Sequence, residues 1–564
     1  MTNPGTGAGA RRSAKLATSL LVCFGALACS DRGGSGGGGT QVALDTTRLC
    51  ALVPAIDPAA AAFPPSPPVK VFGTDLGWTY EHGGKIHFLF GDTNAGEKGD
   101  PISPVHDDTF GTIDLADWPD PARITRGNVP LIRLGQDQGT SQASGIDPGR
   151  SMEQFKTPLG GFSNGTREFG LFITGKPESC SKDADCSKGF ACDASVGFVG
   201  VPPDKQPGLT LPCSDNAAGC TRDTVLDAAS APVPGSGLCT DRTSTIWGDT
   251  DFGRAGAYAI RQLVAVRTLT DPRQYTDVHE WLTNKFTNPA VRTVADFVPE
   301  RGAGRAKQDY RSPGSSVGSP GGNRRVFLWG RPGFIGVNSK GSTLGLYFAY
   351  VDMPQGPGFS WDVNYYTGTS ADGAPRFSRN ESDAAAVDLD TSQDGIQPRE
   401  VYDIVNHMSV AWVEPLGKWV MFYGGGISRY PIPQLLPDCG VLQIFARTDC
   451  ASVVVGNGAI RMRTADDPWG PWTPPQDVFV GGDADRRPVA DQYAPGGVLH
   501  HPACSGERCQ TPSTYMLKGD YGWLYGANII EEWIRPAGKG VDVIWIASTW
   551  DPYRVIMLRT RLSP

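Results

Sequence analysis

Short runs of apolar and aromatic residues recur along this chain, each bounded by Gly, Pro, Asn or Asp. Lys85 to Phe90 reads KIHFLF and ends in Gly91-Asp92-Thr93. Glu168 to Thr174 (EFGLFIT) follows Asn164-Gly165, a pair that predicts a hairpin turn. Arg325 to Trp329 (RVFLW) and Leu344 to Val351 (LGLYFAYV) repeat the pattern. Ser409 to Val413 and Lys418 to Tyr423 (KWVMFY) flank the turn formers Pro415-Leu416-Gly417. Asp542 to Ala547 (DVIWIA) and Val555 to Arg561 complete the series. Short β-rich runs between turn formers predict strands. No long segment with a 3.6 period stands out, although Ala255 to Val266 suits a strand or a short helix. The strands fall into about five clusters, which predicts an all-β fold and a five-bladed β-propeller. A β-sandwich or a pair of β domains fits the same pattern.

Composition sharpens this picture. Gly (72 residues) and Pro (46) are abundant without a strict repeat, and 9% of residues are aromatic, which suits many short strands and tight turns. The net charge of -8 and the lack of any Lys/Arg run argue against a nucleic-acid partner.

The first residues read as an export signal. Arg11, Arg12 and Lys15 precede an apolar run, Leu16 to Ala28, too short to span a bilayer. The run ends in Ala26-Leu27-Ala28-Cys29, which resembles the lipobox of bacterial lipoproteins and makes Cys29 the expected lipidation site. Residues 1–29 are thus expected to be the signal, and the Gly/Ser-rich 30–48 a flexible tether. The propeller is expected over 49–564, on a cell surface or outer membrane, or secreted, with membrane contact through the anchor alone. An ordinary secretory signal cleaved near Ala28 is the plainer alternative.

Eleven cysteines follow Cys29, and an exported chain should hold most of them in disulfides. Cys439 with Cys450, and Cys504 with Cys509, form plausible local loops. Six lie between Cys180 and Cys239, where apolar periodicity fades; 177–243 is expected to be a disulfide-stapled insertion. The spacings lack a CxxC pair, so no metal site is expected.

The most informative segment is Val71 to Asn94, VFGTDLGWTYEHGGKIHFLFGDTN. A two-residue turn at Gly83-Gly84 makes paired residue numbers sum to 167, so Asp75 and Asp92 face each other. Their Cβ atoms then lie about 5 Å apart. Like charges placed so are unfavourable in a sheet, which leaves little structural reason for the pair. Two close carboxylates do not both ionise easily, which divides them into a proton donor and a base, as glycoside hydrolysis requires. Gly73, Gly77 and Gly91 are expected to leave room for a ligand. The plain alternative is that Asp92-Thr93 only starts a turn.

The run FGTDLGW…FLFGDT resembles the opening of the family first catalogued as domain of unknown function 4185. That family is now grouped with glycoside hydrolase family 183, the endo-D-arabinanases. Thr157 to Gly161 (TPLGG), Met408 to Gly425, Ile460 to Pro475 and Ser548 to Val555 (STWDPYRV) fit in order along the chain. The resemblance implies a five-bladed propeller that hydrolyses internal D-arabinofuranosyl bonds of arabinogalactan or lipoarabinomannan. It implies a catalytic pair falling on Asp75 and Asp92. The chain departs from the family at Asn94, where an aromatic residue often follows GDT, and in its Cys-rich insertion.

Around this pair, Trp78, Asp403, His407 and Trp550 are expected substrate contacts. Tyr80 is a weaker stacking candidate, Glu153 reads as a solvated loop residue ahead of a third acid, and His106-Asp107-Asp108 reads as a turn ahead of a cation site. Trp469 and Trp472, in the Pro-Trp-Gly-Pro-Trp segment, are assigned to structure. No cofactor is expected, the partner is a polysaccharide, and the protein is expected to be a monomer. A non-catalytic surface propeller that binds glycan or protein is the rival reading.

Overall fold

The Gly and Pro punctuation divides the chain into short strands. A computed structural model describes residues 43–51, 71–95, 106–115, 133–134, 158–177, 262–271, 274–283, 285–286, 289–295, 324–331, 345–353, 359–371, 373–389, 404–426, 459–479, 524–549 and 554–563, with 179–186 and short strands between 191 and 260. Among the described residues there are strands and three-residue 3-10 turns and no α-helix, as an all-β fold requires. Ala255 to Val266 resolves toward strand, with Ala259–Ile260 and Gln262–Asp271 extended.

Turn chemistry sets the hairpins. Gly83 (φ 60) and Gly84 (φ 77) both take the left-handed conformation that a type I′ turn needs. Gly417 (φ 59) ends the 3-10 turn Glu414–Leu416 in the same way. At the second hairpin the central residues are Gly165 (φ 91) and Thr166, one position later than expected. Asn164 flanks the turn instead, its Oδ1 accepting the N–H groups of Thr166 (3.0 Å) and Arg167 (2.7 Å).

Five antiparallel sheets follow one another in chain order. The first comprises Val71–Gly73, Leu76–His82, Lys85–Ala95, His106–Asp114 and Arg133–Leu134. The second comprises Pro158–Ser163, Glu168–Pro177, Gln262–Asp271 and Gln274–Thr283. Ala290–Ala295 starts the third, Ile404–Val413 the fourth and Leu524–Ile529 the fifth. These starting strands touch in sequence, Leu76–His82 to Pro158–Ser163, on through the third and fourth to Leu524–Ile529, and back to Leu76–His82. The sheets thus have a propeller-like arrangement with the starting strands innermost.

Apolar clusters fill the seams between sheets. Phe88 and Phe90 of the first sheet pack on Ile544 and Ile546 of the fifth and on Trp533 of the 3-10 turn Glu531–Trp533. Phe162 and Leu171 meet Val326 and Leu328. Phe327 and Trp329 meet Trp419 and Met421, and Val420 and Phe422 meet Trp545. Each buried side chain of this size contributes about 1.5–3 kcal/mol relative to exposure. Trp469 and Trp472 are buried in the seam of the third and fourth sheets, in keeping with a structural role. The Gly-Gly of TPLGG has a steric cause. A Cβ at Gly161 would collide with the ring of Tyr80 in the first sheet, and one at Gly160 would lie 2.7 Å from Val291 Cγ2 in the third.

Ala43–Ala51 pairs with Arg554–Ser563 as the outermost strand of the fifth sheet. Its Thr46 Oγ1 donates to Val478 O of the fourth sheet at 2.8 Å. This strand begins inside the stretch expected to be tether. Pairing the two distant segments covers an otherwise open sheet edge.

The Cys-rich segment enters between the second and third strands of the second sheet and forms small sheets of its own. Cys180–Cys192 is a disulfide, and Cys186 is also disulfide-bonded. Its strands continue to Ala259–Ile260, beyond the expected boundary at residue 243. Cys220, Cys439, Cys450, Cys504 and Cys509 lie outside the described residues.

Candidate functional site

The first hairpin keeps the expected register only part of the way. His82↔Lys85 through Trp78↔Leu89 match it, and then Leu76 pairs with Phe90. Gly77 is the extra residue of a β-bulge, and both Leu76 (φ 58) and Gly77 (φ 93) have positive φ. A side chain at Gly77 would lie 2.9 Å from Ile546 Cδ1 and from Phe90 Cε1, so this position accepts only glycine. The bulge slips the pairing by one residue. Gly91 N–H donates to Asp75 O at 3.0 Å, so Asp75 faces Gly91 and the expected Asp75–Asp92 opposition is corrected. Asp92 continues the strand Lys85–Ala95, with its side chain outside the described part.

Thr74 and Asp75 occupy a break between two strand segments that share one partner strand. Asp75 is 7% exposed. Tyr525 Oη, from the innermost strand of the fifth sheet, donates to Asp75 Oδ2 at 2.7 Å. Leu76 N–H donates to Ser548 Oγ at 2.6 Å, and Thr74 Oγ1 donates to Gly91 O at 3.2 Å. A Cβ at Gly91 would fall inside the contact distance of Asp75 Oδ1. The glycine therefore makes room for the Asp75 carboxylate itself, where room for a ligand was expected.

His407 is the extra residue of a second bulge, between Asn406 and Met408, and also has a positive φ of 36. Its ring lies 5.8 Å from that of Tyr525 and 6.4 Å from that of Trp78, centroid to centroid. Burial, and then the charge of Arg331, push its pKa down to about 3, which leaves a neutral imidazole at neutral pH. Arg331 is itself buried and follows the strand Arg324–Gly330. Further bulges fall at Leu159, and between Tyr525 and Asn528 at Gly526 (φ 65). Four of the five innermost strands thus carry a bulge near their start, a device that re-aims side chains and recurs beside active sites. Asp75, His407 and Tyr525 meet at this end of the inner strands, and Trp78 is buried beside them.

Tyr80 belongs elsewhere. It is buried in the seam of the first two sheets, and its Oη donates to Glu168 Oε2 at 2.8 Å. His87 Nδ1 lies 2.8 Å from the same oxygen. Burial raises the Glu168 pKa, but the His87 contact, Tyr80 and His82 together outweigh it and hold the carboxylate below its usual value. His106, Asp107 and Asp108 run in a strand, pairing through Asn94↔His106 and Thr93↔Asp107, where a turn was expected. Asp403, Trp550, Glu153 and Cys29 lie outside the described residues. Among the described residues no group of three or more His, Cys, Asp or Glu side chains is placed to hold a metal ion.

Tyr525, Ser548 and Arg331 were not among the expected site residues. Tyr525 and Ser548 reach the Asp75 segment across 450 and 472 positions of sequence; Ser548 opens the STWDPYRV motif, but nothing local ties it or Tyr525 to Asp75.

No family model matches the chain, and no curated protein does. Among solved structures it is similar to an α-L-arabinofuranosidase of Podospora anserina in complex with cellotriose, at 8% identity and a TM-score of 0.28, covering 92% of this chain and 98% of that one. A GH62 hydrolase in complex with xylotriose matches at 10% identity and 0.30, covering 91% and 97%. A mutant of Trypanosoma rangeli sialidase displaying trans-sialidase activity matches at 8% and 0.28, covering 87% and 54%. At these scores the likenesses carry no weight for fold or function.

Proposed function

We propose that this chain is an exported glycoside hydrolase, anchored through Cys29, that cleaves internal D-arabinofuranosyl linkages of an extracellular polysaccharide. Asp75 and Asp92 are its carboxylate pair, and the five sheets are the blades of a closed five-bladed propeller. The closed circuit of starting strands supports the blade count. The observation that carries the site is the Asp75 carboxylate, set in a break of the innermost strand by a buried Tyr525 hydrogen bond. A carboxylate fixed at the bulged end of the inner strands suits acid–base or nucleophilic work at a glycosidic bond. The offset between Asp75 and Asp92 removes the like-charge opposition that a regular register would impose.

The test is to express residues 41–564 and measure oligosaccharide release from D-arabinan, with L-arabinan and a sialoside as comparison substrates. Asp75→Asn and Asp92→Asn should each abolish turnover while the fold persists. Full activity in both would remove the carboxylate mechanism.

One observation favours the rival reading of a non-catalytic glycan-binding propeller, namely that only 7% of Asp75 is exposed. That reading predicts no hydrolysis by the wild type, and retained arabinan binding in Asp75→Asn.

A further inference from the structure

Asp75 is held indirectly as well as by Tyr525. The bulge that aims it, Leu76–Gly77, has two consecutive residues at positive φ. The left-handed conformation costs a residue such as Leu roughly 1–2 kcal/mol, so something must hold it. Leu76 N–H is held by Ser548. Gly77 O is held by Asn528, whose Nδ2 donates to it at 3.1 Å and to Thr79 Oγ1 at 3.0 Å. The Asn528 Oδ1 accepts from Ser409 Oγ at 3.4 Å. Because Gly77 O only accepts, the amide nitrogen must face it, and the orientation of Asn528 is fixed. Ser409 Oγ in turn accepts from Ile529 N (3.0 Å) and Arg292 Nη2 (3.2 Å). Arg292 Nη2 also donates to Ile529 O at 2.7 Å.

Asn528 lies in the fifth sheet, Gly77 in the first, Ser409 in the fourth and Arg292 in the third. One buried polar chain therefore ties the innermost strands of four sheets to the bulge. We propose that Asn528 is a positioning residue for the reaction, setting the angle of the Asp75 carboxylate through the Gly77 carbonyl. This inference rests on the reading of Asp75 as a working carboxylate.

Asn528→Asp tests it with almost no change of shape. Ionised aspartate keeps an acceptor for Ser409 and loses the donors to Gly77 O and Thr79 Oγ1, so kcat is read at a pH above the burial-raised pKa of the new carboxyl. A misplacement of ~1 Å at a reacting group costs about 10²-fold in rate. The expected result is a kcat on D-arabinan lowered by about 10²-fold, with KM changed less than about twofold. A crystal structure of the variant should show Leu76 out of the left-handed region and the Tyr525–Asp75 contact broken.

Thr560→Val is the control for lost stability. It removes the buried acceptor of Trp545 Nε1 (2.9 Å) in the same sheet, with no link to Asp75. Its melting temperature should fall while kcat holds. The proposal is overturned if Asn528→Asp keeps kcat within about threefold of wild type, or loses no more than Thr560→Val. If the wild type cleaves neither D-arabinan, L-arabinan nor the sialoside, the reading of Asp75 as catalytic has failed, and the variant crystal structure alone decides. An intact bulge and Tyr525–Asp75 contact would then refute the positioning role.

Discussion

Gly91→Ala perturbs the candidate site with a single methyl group. The added carbon would meet Asp75 Oδ1 well inside contact distance and Leu76 Cδ1 at 3.0 Å. Ordinary C–H···O contacts lie at about 3.3–3.6 Å, so the carboxylate must move by roughly 1 Å. Backbone bonding makes it hard for Gly91 to retreat instead. Its N–H is held to Asp75 O and its carbonyl accepts from Thr74. The hydrogen bond from Tyr525, now 2.7 Å, would stretch or break. A hydrogen bond to a charged group is worth about 1.5–3 kcal/mol, and overpacking a core costs about 1–3 kcal/mol. Stability should therefore fall by roughly 2–4 kcal/mol after some relaxation.

The rate on D-arabinan should fall on the order of 10²-fold, in kcat more than in KM. Gly373→Ala supplies the comparison, since Gly373 has φ 83 but open space around it. That variant should lose about 1 kcal/mol of stability through backbone strain and no activity. Urea denaturation and steady-state kinetics on both variants make the measurement. Gly91→Ala with unchanged stability and a kcat within about threefold of wild type would show that the carboxylate does not sit over Gly91, or does no work there.

Tyr525→Phe should lower kcat about 10- to 100-fold and leave the fold intact; unchanged kinetics would remove Tyr525 from the site. His407 has its pKa depressed to about 3, so the unfolded chain binds the extra proton between about pH 6.5 and 3. Its contribution is present at neutral pH and is lost as pH falls, at up to about 1.4 kcal/mol per unit. The stability difference between wild type and His407→Asn should therefore shrink from pH 7 to pH 4, and parallel urea curves would contradict this. Glu532 shows the opposite sign: burial first, and then the neighbouring Glu531, raise its pKa to about 7. Its stabilising share is complete below about pH 4.5 and lost as pH rises through 7. Glu532→Gln should therefore be the more stable protein at pH 8, by roughly 1–3 kcal/mol, and equal thermal melts there would refute it.

Strand content was legible because the chain announces it locally. KIHFLF, KWVMFY and DVIWIA each became a strand, and Gly83-Gly84 made its two-residue turn. The Gly-Gly of TPLGG was visible as a motif, but its cause was not. The crowding partners Tyr80 and Val291 belong to two other sheets, and only the assembled seams bring them near. The closing strand Ala43–Ala51 was hidden for a related reason. Its partner is the last strand of the chain, and a short run beside Gly-rich sequence reads as tether until that partner is present.

The register around Asp75 shows where local arithmetic ends. From Gly83-Gly84 inward the sum of 167 holds for every pair down to Trp78↔Leu89. A hairpin left to itself has reason to continue that way, since Leu76 at φ 58 is strained by roughly 1–2 kcal/mol. Continuing, however, would set two carboxylates face to face, itself unfavourable. The choice is made by groups outside the hairpin. Ser548 accepts from Leu76, Asn528 donates to Gly77, and Tyr525 donates to Asp75, each from at least 450 residues away. Three buried hydrogen bonds at about 1 kcal/mol each, more for the charged one, exceed the strain they hold. The position of Asp75 is thus a property of the whole circuit of sheets. Weakening the first–fifth seam at a point remote from the carboxylate, as at Asn528, should therefore disturb the site before it disturbs the fold.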